Sequence, residues 1–203
     1  MISGPTMSGK SILLHNLLKY RDILFQTPHS KCVFYYSVYQ PFMSDLETSF
    51  KDKIVFLQKF KTKHIKKYKD CFLVFDDFLS KLSPSFLEIF LVTTHQKNLT
   101  TIFLTQTLYF DDVLKTIRRN CHYFLFTSDL DSSSVFRVIS SDLDKKSLDL
   151  FKQSFRRIMR SKDYAHVVYD RHPQTPSDLR FKYDIFARAL NPSSEYMYKV
   201  FTV

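Results

Sequence analysis

The chain has 203 residues, a formal net charge of +10 from 30 Lys and Arg against 20 Asp and Glu, and 44% hydrophobic residues. That fits one globular domain with a core of ordinary size and speaks against a second full domain. No apolar run approaches the roughly 20 residues that cross a bilayer, and the start lacks the features of a signal peptide, so a soluble intracellular protein is expected, neither secreted nor membrane-embedded.

The positive excess favours a polyanionic partner such as DNA or RNA, held through counterion release; a basic surface with nothing to bind is the plain alternative. Phe (21) and Tyr (12) are abundant and Trp is absent, so aromatic packing must fill much of the interior. Cys32, Cys71 and Cys121 each fall in a strand-like stretch, without C-x-x-C pairing or clustered histidines. They are read as buried free thiols in a reducing compartment, and no metal site of cysteine and histidine is indicated. Asn98-Leu99-Thr100 matches a glycosylation acceptor that an intracellular chain would never present to the enzyme.

The first segment carries the strongest signal. Gly4-Pro5-Thr6-Met7-Ser8-Gly9-Lys10-Ser11 fits the phosphate-binding pattern G-x-x-x-x-G-K-[ST], and the only two glycines of the chain are in it. A loop wrapped around phosphates needs close approach and conformations that a Cβ blocks. Backbone N–H groups of residues 4 to 11 would form a nest at the positive end of the following helix. Lys10 would reach the β- and γ-phosphates, and the Ser11 hydroxyl would ligate Mg2+. A glycine turn ahead of a helix is the plain alternative. Only Met1-Ile2-Ser3 precede the loop, so the first strand is expected to be clipped.

A helix is expected from Lys10 to about Phe25, ending before Pro28, and then a strand over Cys32–Val38, stopped by Gln40-Pro41. Residues 51 to 69 hold eight lysines among apolar and aromatic side chains. The stretch reads either as a track for a nucleic-acid backbone or as a solvated connection beside a short strand.

Cys71-Phe72-Leu73-Val74-Phe75-Asp76-Asp77 reads as a central strand with two carboxylates at its C-terminal end, where α/β ligand sites lie. Asp76 would hold Mg2+ through water and Asp77 would polarise the attacking water, although paired aspartates also cap loops. Ser83-Pro84 opens a helix to about Thr94. Thr100–Thr107 is a second buried strand ending in Gln106, which either senses a γ-phosphate or is an ordinary strand-end residue.

Asp111–Arg119 is a short helix whose Arg118-Arg119 end complements its dipole, followed by a strand over His122–Phe126. Helices are expected over Ser132–Ile139 and from Lys145 to about Met159. Two late strands, Ala165–Tyr169 and Leu179–Tyr183, flank a Pro-rich turn, and residues after Pro192 read as a loose tail. Alternating strands and helices predict an α/β fold, a mostly parallel sheet sandwiched by helices. The ATPase domain is placed at residues 1–190 and the tail at 191–203.

With these pieces in order, the chain resembles the FtsK/HerA-type DNA-packaging ATPases of eukaryotic double-stranded DNA viruses, most closely those of Maverick/Polinton and adintovirus-like elements. The likeness covers roughly residues 1 to 187. It rests on Ile2–Thr6 with the loop, Tyr39-Gln40-Pro41, Leu73–Asp77, Ile102–Gln106 and Asn120–Tyr123, with Pro173–Pro176, Leu179-Arg180 and Ile185-Phe186 resembling a closing hairpin. The resemblance implies a P-loop NTPase fold with a C-terminal β-hairpin. It also implies a homo-oligomeric ring that hydrolyses ATP with Mg2+ to drive double-stranded DNA into a capsid, in the host nucleus or at a viral assembly site. Capsid proteins are then further partners, and no membrane is involved.

By the same resemblance Gly4 through Ser11 form the Walker A loop, Asp76 and Asp77 the Walker B acids, and Gln106 the polar sensor. The family tends to carry an arginine where this chain has Lys115, so Lys115, Arg118 or Arg119 is the candidate finger. Two other classes fit the loop: a nucleoside or nucleotide kinase, for which no arginine-rich lid is evident, and a degenerate remnant that binds nucleic acid without turnover.

Overall fold

The computed structural model describes residues 1–51, 53–61, 66–77 and 84–203. In chain order the elements are β1 (Ile2–Ser3), α1 (Lys10–Lys19), α2 (Arg21–Leu24), β2 (Lys31–Tyr36), α3 (Phe42–Phe50), β3 (Ile54–Leu57), β4 (Cys71–Asp76) and α4 (Pro84–Gln96). There follow β5 (Leu99–Thr105), α5 (Asp112–Arg119), β6 (Tyr123–Phe126), α6 (Ser132–Ile139), α7 (Lys145–Met159), β7 (Val167–Asp170), a 3-10 turn over Ser177–Leu179, β8 (Phe181–Tyr183), α8 (Ala187–Leu190) and β9 (Lys199–Val200). The fold is α/β with parallel pairing between most of the early strands. Two compact units interleave along the chain. One comprises Ser11–Thr105 and Phe110–Arg119, the other Met1–Lys10, Gln106–Tyr109 and Asn120–Val203.

In the first of these units the strands run β3-β2-β4-β5, every pair parallel. All six residues of β4 are buried, as a strand covered on both faces requires. The register sets Tyr35 beside Phe75 and Phe75 beside Phe103, and the three rings stack across the strands at centroid distances of 4.9 and 5.1 Å. Phe86, from α4, meets Phe75 edge-on at 5.5 Å. Offset stacks and edge contacts of this kind add stability beyond the buried area, and they do the filling that tryptophan does in other cores.

The other unit orders its strands β1-β6-β7-β8-β9. β1 pairs with β6 in parallel, and the later pairs are antiparallel. A second aromatic ladder, Phe124–Tyr169–Phe181, crosses β6, β7 and β8, with Tyr169 and Phe181 stacked at 4.8 Å. α7 supplies Phe151 against Phe181 at 4.9 Å. Its N-cap, Asp144, accepts from the Ser147 amide at 3.0 Å, which satisfies one of the donors left over in the first turn.

Several expected boundaries shift. The helix expected to reach Phe25 stops at Lys19 and resumes as α2, because Tyr20 leaves helical geometry (φ −98°, ψ 23°) and the Arg21 guanidinium donates to the Leu18 carbonyl at 2.9 Å. Residues after Pro192 are not a loose tail. β9 pairs with β8, and Phe201 packs 5.5 Å from Phe181, so the apolar residues near the C-terminus are anchored by the second ladder. The lysine-rich stretch contains the short strand β3, with residues 52 and 62–65 outside the described residues, as is the expected N-cap Ser83. Among the described residues no helix is long and apolar enough to cross a membrane.

The ladder at Phe75 makes a direct prediction. Phe75→Ala should cost about 3–5 kcal/mol in a urea titration, whereas Phe110→Ala, at a side chain 69% exposed, should change stability by no more than about 0.5 kcal/mol.

Candidate functional site

The loop expected to grip phosphate begins where β1 ends. At Gly4 a Cβ would lie 2.3 Å from Thr127 Oγ1 and 2.6 Å from Ser8 Oγ, so a side chain there would have to displace this hydroxyl pair. Those two hydroxyls hydrogen-bond to each other at 2.6 Å, and the Thr127 amide donates to the Ser3 carbonyl at 3.1 Å. The Ser8 amide closes a turn onto the Pro5 carbonyl at 3.3 Å. Two residues then take left-handed backbone, Met7 (φ 63°) and Gly9 (φ 88°). A Cβ on Gly9 would also fall 2.6 Å from the Tyr164 ring. The two glycines therefore have different jobs: Gly4 provides space, and Gly9 provides both space and a conformation that L side chains resist.

Lys10 ends the loop and starts α1. Its buried ammonium donates to the carbonyls of Gly4 and Pro5, each at 2.7 Å. The ammonium is thus held against the loop by backbone dipoles. Gln106, the residue after β5, lies in the same unit, and its Oε1 accepts from the Thr6 hydroxyl at 3.3 Å. The expected sensor and the expected loop are in contact.

In the other unit a chain of hydrogen bonds joins the expected metal ligands. Ser11 Oγ donates to Gln40 Oε1 at 3.1 Å, and Gln40 Nε2 donates to Asp76 Oδ2 at 3.0 Å. Asp76 closes β4 with 5% exposure. Asp77 follows in left-handed backbone (φ 48°), a conformation aspartate tolerates better than most residues. Its side chain is exposed, and its carbonyl accepts from Ser37 Oγ at 3.2 Å.

Among the described residues no group of three or more His, Cys, Asp or Glu could hold a metal. One hydroxyl and one carboxylate nonetheless suit Mg2+, which keeps several waters and takes its remaining ligands from phosphate oxygens. The donor set fits a metal that arrives with a nucleotide.

The basic candidates occupy α5, which buries Leu114 and Ile117. Lys115 pairs with Asp112 on its own helix at 3.6 Å, and Arg118 and Arg119 form its basic last turn. Of the free thiols, Cys32 and Cys71 are buried and Cys121 half-buried; burial pushes the Cys71 thiol up to about 11, far from reactive thiolate behaviour.

Three residues escaped the sequence: Gln40 as the link between hydroxyl and acid, Thr127 as the wall behind Gly4, and Tyr164 as the wall behind Gly9. Gln40 lies 36 residues from Asp76, and Thr127 is 119 residues from Ser8, distances at which only the fold creates a neighbour.

Adding a methyl group at position 9 tests the loop. Gly9→Ala should lower stability by about 1–3 kcal/mol from backbone strain and contact, measured by urea denaturation. Gly9→Ala with Tyr164→Ala should recover only the contact part, because the left-handed strain stays. No model of a known protein family matches the chain, and no curated protein matches it.

Proposed function

We propose that this chain is an ATP-hydrolysing P-loop motor that moves double-stranded DNA, the packaging ATPase of a viral or virus-derived element of the FtsK/HerA type. The observation that carries the nucleotide part is the loop itself: two glycines at which a Cβ would meet neighbouring side chains, in a turn whose carbonyls accept from the Lys10 ammonium. The motor part draws support from the order of motifs along the chain and from the net charge of +10, which suits a polyanionic track.

When bound, MgATP supplies the scissile phosphoanhydride and a dication that offsets charge on it. Lys10 would turn from the Gly4 and Pro5 carbonyls to β- and γ-phosphate oxygens. The Ser11 hydroxyl would ligate the cation, and Asp76 would hold it through water. Asp77 accepts the proton of the attacking water, and Gln106 orients that water or senses the γ-phosphate. A transition state with charge spread over the γ-phosphoryl oxygens calls for one more cation. Lys115, Arg118 or Arg119 of a neighbouring protomer in a homo-oligomeric ring supplies it, with capsid proteins as the further partners.

Two measurements test this. Lys10→Ala should lose nucleotide affinity as well as turnover, whereas Asp77→Asn should bind MgATP normally and hydrolyse it orders of magnitude more slowly, with wild-type hydrolysis stimulated by duplex DNA. Unchanged turnover in Asp77→Asn removes the base assignment. For the finger, an inactive Lys10→Ala protein is mixed with one carrying Ala at 115, 118 and 119. Head-to-tail assembly pairs intact loops with intact fingers and should restore DNA-stimulated hydrolysis. Co-assembly without any restored activity assigns the finger elsewhere.

A further inference from the structure

The Tyr164 side chain has no part in the chemistry above, yet it is held against the loop in a costly way. Its ring lies over Gly9 so closely that a Cβ there would be 2.6 Å from Cδ1 and 3.3 Å from Cγ. Even so, the residue remains 59% exposed, so much of the ring is open to solvent beside the end of the loop. Its backbone is left-handed (φ 54°), an outlier for a bulky aromatic and the kind of local strain that marks functional positions.

The surrounding chain enforces this geometry. The Ala165 amide closes a turn onto the Lys162 carbonyl at 3.3 Å. His166, 7% exposed, presents a ring N–H to the Tyr164 backbone carbonyl. Burial, with the Lys162 charge adding to it, pushes the His166 imidazolium down to about 4, so the ring is neutral at neutral pH. The buried Nε2 has no hydrogen-bond partner, and the ring packs 5.4 Å from that of Phe186.

We propose that Tyr164 is the platform on which the base of the bound nucleotide stacks. This rests on the phosphate-loop reading and extends it to the other end of the ligand. Phosphates gripped by residues 4 to 10 leave the base a ribose beyond them, and an exposed aromatic face adjoining Gly9 is the group that a planar base recognises best. Stacking on an aromatic ring is tolerant of base identity, so the platform takes nucleoside triphosphates through the planar face of the base and does not select among bases.

The test compares two ligands that share phosphates and differ in the base. Affinities of the full chain for MgATP and for magnesium-bound inorganic tripolyphosphate are measured by titration calorimetry in wild type, Tyr164→Ala and Tyr164→Phe. The platform requires wild type to bind ATP more tightly than tripolyphosphate. Tyr164→Ala should then lose about 10-fold or more in ATP affinity with tripolyphosphate unchanged, and Tyr164→Phe should stay within about 2-fold of wild type for both.

Equal losses for both ligands in Tyr164→Ala would mean that the ring only shapes the loop, and no loss for either would mean that it does neither; each result overturns the assignment. A wild type that binds tripolyphosphate as tightly as ATP overturns it too while leaving the phosphate loop standing. A wild type that binds neither ligand removes the phosphate-loop reading and the platform together.

Discussion

A cation enclosed by backbone is the constraint from which the loop-bearing unit can be understood. The Lys10 ammonium sits 2.7 Å from two carbonyl oxygens, and carbonyls converge on one point only if the chain curls tightly between them. Curling brings the Cα of Gly4 against the Ser8–Thr127 hydroxyl pair and that of Gly9 against Tyr164. Each contact excludes a side chain, so the two glycines follow from the position of the ammonium. The carbonyl contacts in turn keep a buried positive charge satisfied, which limits the cost of burying it.

Each of the two units has its own aromatic ladder. Tyr35, Phe75 and Phe103 stack because parallel strands in register set equivalent side chains side by side on one face. The ladder ends one residue before Asp76, so the carboxylate leaves a stretch of β4 that has little freedom to shift. In the other unit Phe124, Tyr169 and Phe181 do the same across antiparallel strands, and the Tyr169 hydroxyl reaches Asp142 at 2.5 Å. The buried phenol thereby keeps a partner, as an interior tyrosine must.

Local pattern carried much of this. α6 and α7 begin and end where the spacing of their apolar residues predicts, because Val135, Val138 and Ile139, and Phe151, Phe155 and Ile158, recur at helical intervals and face one way. The turn that begins at Gly4 was legible for a different reason: both glycines of the chain fall within six residues, at positions where a Cβ would meet a neighbouring side chain. Features that depend on long-range neighbours were not legible. The break at Tyr20 follows from Arg21, whose guanidinium also lies over the Phe50 ring at 4.1 Å, and no periodicity announces that. The C-terminal residues read as a tail because polar residues and Pro192 precede them, yet Phe201 finds the second ladder from 50 residues beyond Phe151. Gln40 was visible only as part of a short motif, and its partners became evident once β2 and β4 were neighbours.

Gln40 shows why an amide, and not a direct contact, joins Ser11 to Asp76. A buried carboxylate needs donors, and a hydroxyl needs an acceptor, but a serine bonded straight to the aspartate would commit both groups to each other. The Gln40 carbonyl oxygen accepts from Ser11 while its NH2 donates to Asp76, so each group is satisfied through a neutral intermediary carrying no competing charge. If a dication is bound there as proposed, it would replace these two bonds with stronger ion–dipole and ion–ion contacts. A lysine at position 40 could also donate to the acid but would place a positive charge beside it. Glutamine links Ser11 and Asp76 without adding a charge between them.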